Sequence, residues 1–284
     1  MTTNINLSTS APWAVAAVAR AGQAMGRTAR LHLKVDTGLG RGGSPLAAWT
    51  DLVQAALQAE ADDAVEVVGL WSHLAYADDP HHPTTDAQLE AFREAVKVAE
   101  DMGVRPEVRH LANSAATLTR PNTHFDLVRP GLAVYGLSPV PHIAGPAELG
   151  LRPAMTLAAR VVLAKRLPAG HGVSYLHRYV TDRDTTVALL PVGYADGVPR
   201  NATNVGPVQL AGARRTVAGT VCMDQLVVDV GDDPVAVGDE ALLFGPGDKG
   251  EPTADDWAAA CGTISYEIVT RVGPRVPRVI VGTG

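Results

Sequence analysis

Lysine and cysteine are scarce in this chain of 284 residues. Four lysines, Lys34, Lys97, Lys165 and Lys249, stand against twenty arginines. The two cysteines, Cys222 and Cys261, are too few for a disulfide framework, so a cytoplasmic, reducing setting is expected. A surplus of positive charge is missing too: the formal net charge is -6, which speaks against nucleic acid or a membrane surface as partner. No apolar run reaches the ~18 residues that cross a bilayer. The stretch APWAVAAVA (11–19) resembles a short signal-peptide core, yet no positive charge precedes it. It reads better as a helix capped by Ser10, with Pro12 in its first turn and its end near Gly26.

What is present is alternation. Helices over 11–25, 45–60 and 84–102 interleave with strands over 30–36, 65–71, 107–112 and 125–135, with a short helix over 114–119. Thr85 and Gln88 are spaced like a capping box for the third helix. This order predicts a parallel α/β sheet or barrel. Near residue 152 the period changes to short β-branched runs between Gly/Pro turns, with only 252–261 reading as helix, so a mostly antiparallel β domain is expected. The Pro/Gly-rich segment 139–153 joins them, giving domains 1–150 and 151–284. Four β/α units are half of a (β/α)8 TIM barrel, here its C-terminal half. An open parallel edge leaves backbone groups unpaired, so a further segment before residue 1 is expected.

In such a barrel the active site lies at the C-terminal ends of the strands. The side chains expected there are Arg41, His73, Asn113, Ser114 and Arg129. Lys34 sits within the strand LHLKVD, seven residues before Arg41. ANSAAT and RPGL match an anion site, with the Ser114 hydroxyl and the amides of Gly131 and Leu132 as donors. Each residue alone has an ordinary explanation: Arg129 in a surface ion pair, His73 as a satisfied semi-buried histidine, Ser114 as a helix cap. Their succession along the strand ends favours function.

Taken in order, HLKVDTGLGR, SHLAYAD, HLANSAATL, FDLVRPGLAVYGLSP, VSY, PVGYADG, GTVCMDQ and TISYE resemble the alanine racemase family from about residue 30 to the end. Leu39 stands where the family usually has methionine. The resemblance implies a pyridoxal 5'-phosphate enzyme that interconverts L- and D-alanine and supplies D-alanine for cell-wall peptidoglycan. It assigns Lys34 as a lysine often carbamylated, paired with Arg41, which contacts the cofactor phenolate and the substrate carboxylate. The other reading of Lys34 is an unmodified amine beside an acidic neighbour. Arg129 falls against the pyridine nitrogen. Tyr175 is the acid/base tyrosine, linked through His73 toward Arg129. Cys222, Met223 and Asp224 line the substrate site, Tyr194 the entry channel, and Tyr266 contacts phosphate. Tyr175 and the Cys222–Asp224 segment serve the other subunit, which implies a homodimer with shared sites.

One departure matters. The family's Schiff-base lysine lies in a lysine-alanine-x-alanine-tyrosine-glycine-histidine-glycine motif, and no such motif occurs here. Three readings follow: a racemase lacking its N-terminal segment, an inactive cofactor-binding or structural remnant, or a related decarboxylase. The last pairs the pyridine nitrogen with glutamate, against Arg129. The first is favoured, with the 284-residue chain itself expected to show no meaningful turnover.

Overall fold

The computed structural model describes residues 5–282; the outermost residues of both expected domains lie outside them. The chain divides into two units, one of Met1–Val134 with Ser138–Gly150, the other of Tyr135–Leu137 with Leu151–Gly284.

In the first unit β1 (Leu7–Thr9), α1 (Pro12–Ala24), β2 (Ala29–Asp36), β3 (Ser44–Pro45), α2 (Trp49–Ala61), β4 (Val65–Trp71), α3 (Pro83–Asp101), β5 (Val108–His110) and α4 (Ser114–Thr119) follow one another. The sheet runs β1-β2-β4-β5, every pair parallel, with β3 beside the end of β2. Along β2 burial alternates strictly. Leu31, Leu33 and Val35 are fully buried against the helices, beside Leu52 and Val53 of α2 and Leu89 and Phe92 of α3. Each such side chain contributes roughly 1.5–3 kcal/mol on burial. The intervening Arg30, His32, Lys34 and Asp36 face the other way. Register then aligns Lys34 with Trp71, and Trp71 with His110, in one row across the strand ends.

Four corrections arise here. The chain does not open on a helix: β1 precedes α1, and α1 is capped by Ala11 without a side-chain bond, not by Ser10. Phe125–Tyr135 is not a strand. Phe125 has φ 50°, Pro130 lacks an N–H, and Leu132–Tyr135 forms a 3-10 turn. Three of the four strands expected over 30–135 therefore form, as β2, β4 and β5, while β1 and the short β3 complete the parallel sheet in place of the fourth. Thr85 and Gln88 make no capping box, because His82 caps α3 by accepting from the Thr84 amide, while Thr85 and Gln88 are both buried.

The second unit is antiparallel throughout its described pairings. One sheet joins β7 (Leu163–Leu167), β10 (Thr185–Leu190) and β13 (Leu226–Gly231). Another joins β6 (Leu157–Arg160), β11 (Pro207–Leu210), β12 (Ala213–Thr216) and β14 (Glu240–Phe244). A short ribbon pairs β8 (Gly172–Val173) with β9 (Tyr179–Val180). Two helices follow, α5 (Ala254–Cys261), with a Thr253/Asp256 capping box, and α6 (Ser265–Thr270), which the sequence reading left out.

Candidate active site

Arg129 is the hub of the first unit. Its Nη1 donates to His110 Nδ1 at 2.8 Å, and Nη2 donates to the carbonyls of Ser72 at 2.8 Å and Leu111 at 3.2 Å. Nη2 also reaches His73 Nδ1 at 3.3 Å, and the guanidinium lies 4.7 Å from the Trp71 ring centroid. Burial draws its pKa down to about 10, still well above neutrality, so the group stays charged. Its partners are two imidazoles, two carbonyls and an indole face, with no carboxylate among them.

Arginine cannot accept a hydrogen bond, so it fixes the tautomer of what it touches. His110 Nδ1 must carry a lone pair, and its Nε2–H donates to His32 Nδ1 at 2.8 Å. The Nε2–H of His32 then points at the Asn6 carboxamide, whose Nδ2 lies 3.2 Å away; the tautomer requires that amide turned over, with its oxygen as the acceptor. Trp71 stacks on His110 with an interplanar angle of 16° and anchors its indole N–H on Ser8 Oγ at 2.8 Å. Gly69 makes room for this row, since a Cβ there would lie 2.1 Å from His32 Nδ1. Burial, followed by Arg129, lowers the His110 pKa to about 3, and burial with the cations around it takes His73 to about 4. His32, His110 and Trp71 escaped the sequence reading, although the period-two spacing of His32 and Lys34 put both on one face of β2.

Among the described residues Lys34 makes no ion pair within 4.0 Å, although Asp36 on the same face of β2 acts on it electrostatically. Its Nζ lies 4.5 Å over the Trp71 ring, and burial, then the positive charge of Arg41, pulls its pKa down. The carboxylate of Asp36 instead accepts the amides of Gly38, Leu39 and Gly40 at 3.0–3.2 Å, which winds the loop toward Arg41. Arg41 is exposed, not the buried ion-pair member expected. Asn113, not Ser114, caps α4 by accepting from the Ala116 amide at 3.1 Å. Ser114 Oγ accepts from the amides of Gly131 at 2.7 Å and Ala133 at 3.3 Å. The Gly131 amide thus points at Ser114 and not outward; with both lone pairs engaged, the hydroxyl proton is left for an external acceptor. Leu132 opens the 3-10 turn that follows.

In the second unit Tyr175 is 66% exposed on a turn whose neighbours Ser174, Leu176 and His177 all have positive φ, 61°, 62° and 44°. The turn is tied down by Ser174 Oγ donating to the Thr220 carbonyl at 2.7 Å and Thr220 Oγ1 donating to the Tyr175 carbonyl at 2.9 Å. Cys222 Sγ lies 3.4 Å from Ser174 Oγ. The Tyr194 and Ala195 amides bond the carbonyls of Cys222 and Met223 at 3.0 and 2.8 Å. Tyr175, Tyr194 and the Cys222–Asp224 segment are therefore brought together, with Met223 and Asp224 exposed. Tyr266, on α6, sits 5.7 Å, ring to ring, from Tyr135.

A buried guanidinium with only donors to offer suits a neutral ring nitrogen and repels a protonated one. The Ser114 hydroxyl, held by two amides, suits a phosphate oxygen. These residues fit pyridoxal phosphate, and the class so defined is an enzyme working with an unprotonated pyridine. The comparisons agree. The family profile "Alanine racemase, N-terminal domain" matches residues 1–139 and "Alanine racemase, C-terminal domain" matches 154–280. The chain is 62% identical over 275 residues to an alanine racemase of Frankia casuarinae, covering 97% of this chain and 72% of that one. It is 63% identical over 279 residues to one of Salinispora tropica, covering 98% and 74%. A crystal structure of alanine racemase from Streptomyces lavendulae superposes with TM-score 0.96 at 59% identity, covering 98% of this chain and 73% of that one. The chain belongs to the alanine racemase family, pyridoxal-phosphate-dependent isomerases built of a barrel and a β domain. The N-terminal profile begins at residue 1, so it lends no support to the expected loss of that domain's opening segment, nor to a half barrel alone.

Proposed function

We propose that the Arg129 cluster and the Tyr175 turn serve the racemisation of alanine, supplying D-alanine for peptidoglycan in the cytoplasm. The observation that carries this reading is the carboxylate-free setting of Arg129. Pyridoxal phosphate, when bound, supplies an electron sink that acidifies the substrate Cα–H. Arg129, which can only donate, would face the cofactor's ring nitrogen and leave that nitrogen without a proton, which would keep the sink weak and favour proton return over transamination. Ser114, Leu132 and Tyr266 would hold the phosphate, while the Gly131 amide, spent on Ser114 Oγ, positions that hydroxyl. Arg41 would bind the cofactor phenolate and the substrate carboxylate, and a carbamate on Lys34 would balance its charge; the depressed pKa of Lys34 favours the neutral amine that carbon dioxide requires. Tyr175 moves the proton at Cα from one face, helped by His73 toward Arg129, beside Met223, Asp224 and Tyr194. Tyr175 comes from the second subunit of a homodimer, so residues 1–150 bind cofactor and 151–284 complete the partner's site.

The lysine that bonds the cofactor is not assigned to any of the four here. Lys34 has the role above, Lys97 pairs with Asp101 at 2.6 Å on the exposed face of α3, and Lys165 and Lys249 lie in the β unit. Borohydride trapping and peptide mapping of the holoenzyme are expected to leave all four unmodified; an adduct on Lys34 would refute its assignment.

The direct test is Arg129→Glu, made in the chain joined to a segment that carries the family's lysine motif. Racemase turnover is expected to fall by on the order of 100-fold or more, with a larger fraction of pyruvate from transamination. Unchanged turnover and pyruvate would remove Arg129 from the site.

A further inference from the structure

We propose that Gln88 is a positioning residue that locks the loop carrying Arg41 to the loop carrying His73. It stands on α3, outside both loops, and is 1% exposed. A carboxamide buried there without partners costs about 1–3 kcal/mol, and Gln88 finds three. Its Oε1 accepts the Ala75 amide at 2.8 Å, while Nε2 donates to Thr37 Oγ1 at 3.2 Å and to the His73 carbonyl at 3.1 Å. The orientation of the amide is dictated: turned over, it would set its NH2 against the Ala75 N–H and its oxygen against the His73 carbonyl.

The assignment propagates. Because Thr37 Oγ1 receives the Gln88 proton, the hydroxyl directs its own to Ser72 Oγ, 2.8 Å away and buried. The Ser72 carbonyl accepts from Arg129, and His73 Nδ1 faces the same guanidinium. One side chain thus joins the end of β2, the end of β4 and, through Ser72 and His73, Arg129. Thr37 lies within the Asp36–Gly40 wind that delivers Arg41. A shift of either loop breaks the other's bond to the same amide, so the two move together. That this matters for catalysis rests on the roles proposed above for Arg41 and His73; the mechanical coupling does not.

The test is Gln88→Met, which keeps the bulk and removes every polar contact, made in the full chain with pyridoxal phosphate bound. Hydrogen exchange read by mass spectrometry is expected to quicken about tenfold or more in both 37–41 and 73–76 while β2 and β4 keep their protection. The His73 ring, followed by NMR, is expected to titrate at higher pH as its loop gains water. A general loss of stability would instead quicken exchange everywhere and leave the His73 titration in place. Quickening in one loop alone, in neither, or uniformly would overturn the proposal. Should Gln88→Met not fold, the unmodified protein decides: the Gln88 side-chain NH2 and the Ala75 amide are expected to exchange far more slowly than in a free peptide, and free-peptide rates at either overturn it. Altered exchange with unchanged affinity for pyridoxal phosphate would uphold the coupling and count against the roles of Arg41 and His73.

Discussion

At the scale of the residue, the site is governed by what arginine cannot do. With no lone pair to accept a bond, Arg129 forces His110 and then His32 into one tautomer, and its charge helps keep His110 and His73 unprotonated. In the unfolded chain such histidines take up a proton near 6.5, whereas in the folded one they do so near 3 and 4. Between those values the unfolded state binds more protons, so stability rises with pH. The contribution is complete above 6.5 and lost as pH falls toward 4 and 3. Each proton changes the unfolding free energy by at most ~1.4 kcal/mol per pH unit. Urea unfolding at a series of pH values should show His110→Gln, which keeps an acceptor for Arg129 but does not titrate, with a shallower slope between pH 4 and 6. An unchanged slope would show that His110 is not the group responsible.

At the scale of the element, burial pattern was readable and polar partnership was not. The alternation of β2, the apolar face of α3 and the limits of α4 all followed from side-chain period. Gln88 failed because a polar residue three positions after a threonine reads as a cap when its true partners lie thirteen and fifty-one residues back. The 125–135 stretch failed because apolar content outweighed Pro130 and Gly131. His110 opens the segment HLANSAATL, and nothing local in that segment shows that β5 aligns it with Trp71. Gly69 tests the row directly. The β2–β4 register shifts between Leu31 and His32, which sets Gly69 beneath the His32 ring. Gly69→Ala is expected to cost about 1–3 kcal/mol by overpacking and to displace the His32 ring from His110, seen as changed imidazole nitrogen shifts. Wild-type shifts would mean the row does not depend on that contact.

At the scale of the whole molecule, the change of period near residue 152 announced a second unit, and the motifs announced the family. Less legible was that the chain enters the second unit early: Tyr135–Leu137 already belong to it, with the Ala154 amide on the Tyr135 carbonyl at 3.0 Å. The sequence assigned Arg129 and Tyr175 to different units, and mixing experiments can show whether they meet across subunits. Arg129→Glu and Tyr175→Phe chains, each joined to a segment carrying the family's lysine motif and each inactive alone, should regain about a quarter of the activity of the unmutated fusion when dissociated together and reassociated. Half the dimers are then mixed, each with one intact site. No recovery would place both residues of each site on one chain.

The turn around Tyr175 has a consequence for how this protein responds to selection. Ser174, Leu176 and His177 hold left-handed backbone without being glycine, at roughly 1–3 kcal/mol each. Glycine at any of them would relieve that cost and return about 0.5–1 kcal/mol of it as unfolded-chain freedom. A screen for heat resistance alone would therefore draw glycines into this turn, while a screen that also demanded D-alanine would keep them out, because the freedom gained there loosens Tyr175.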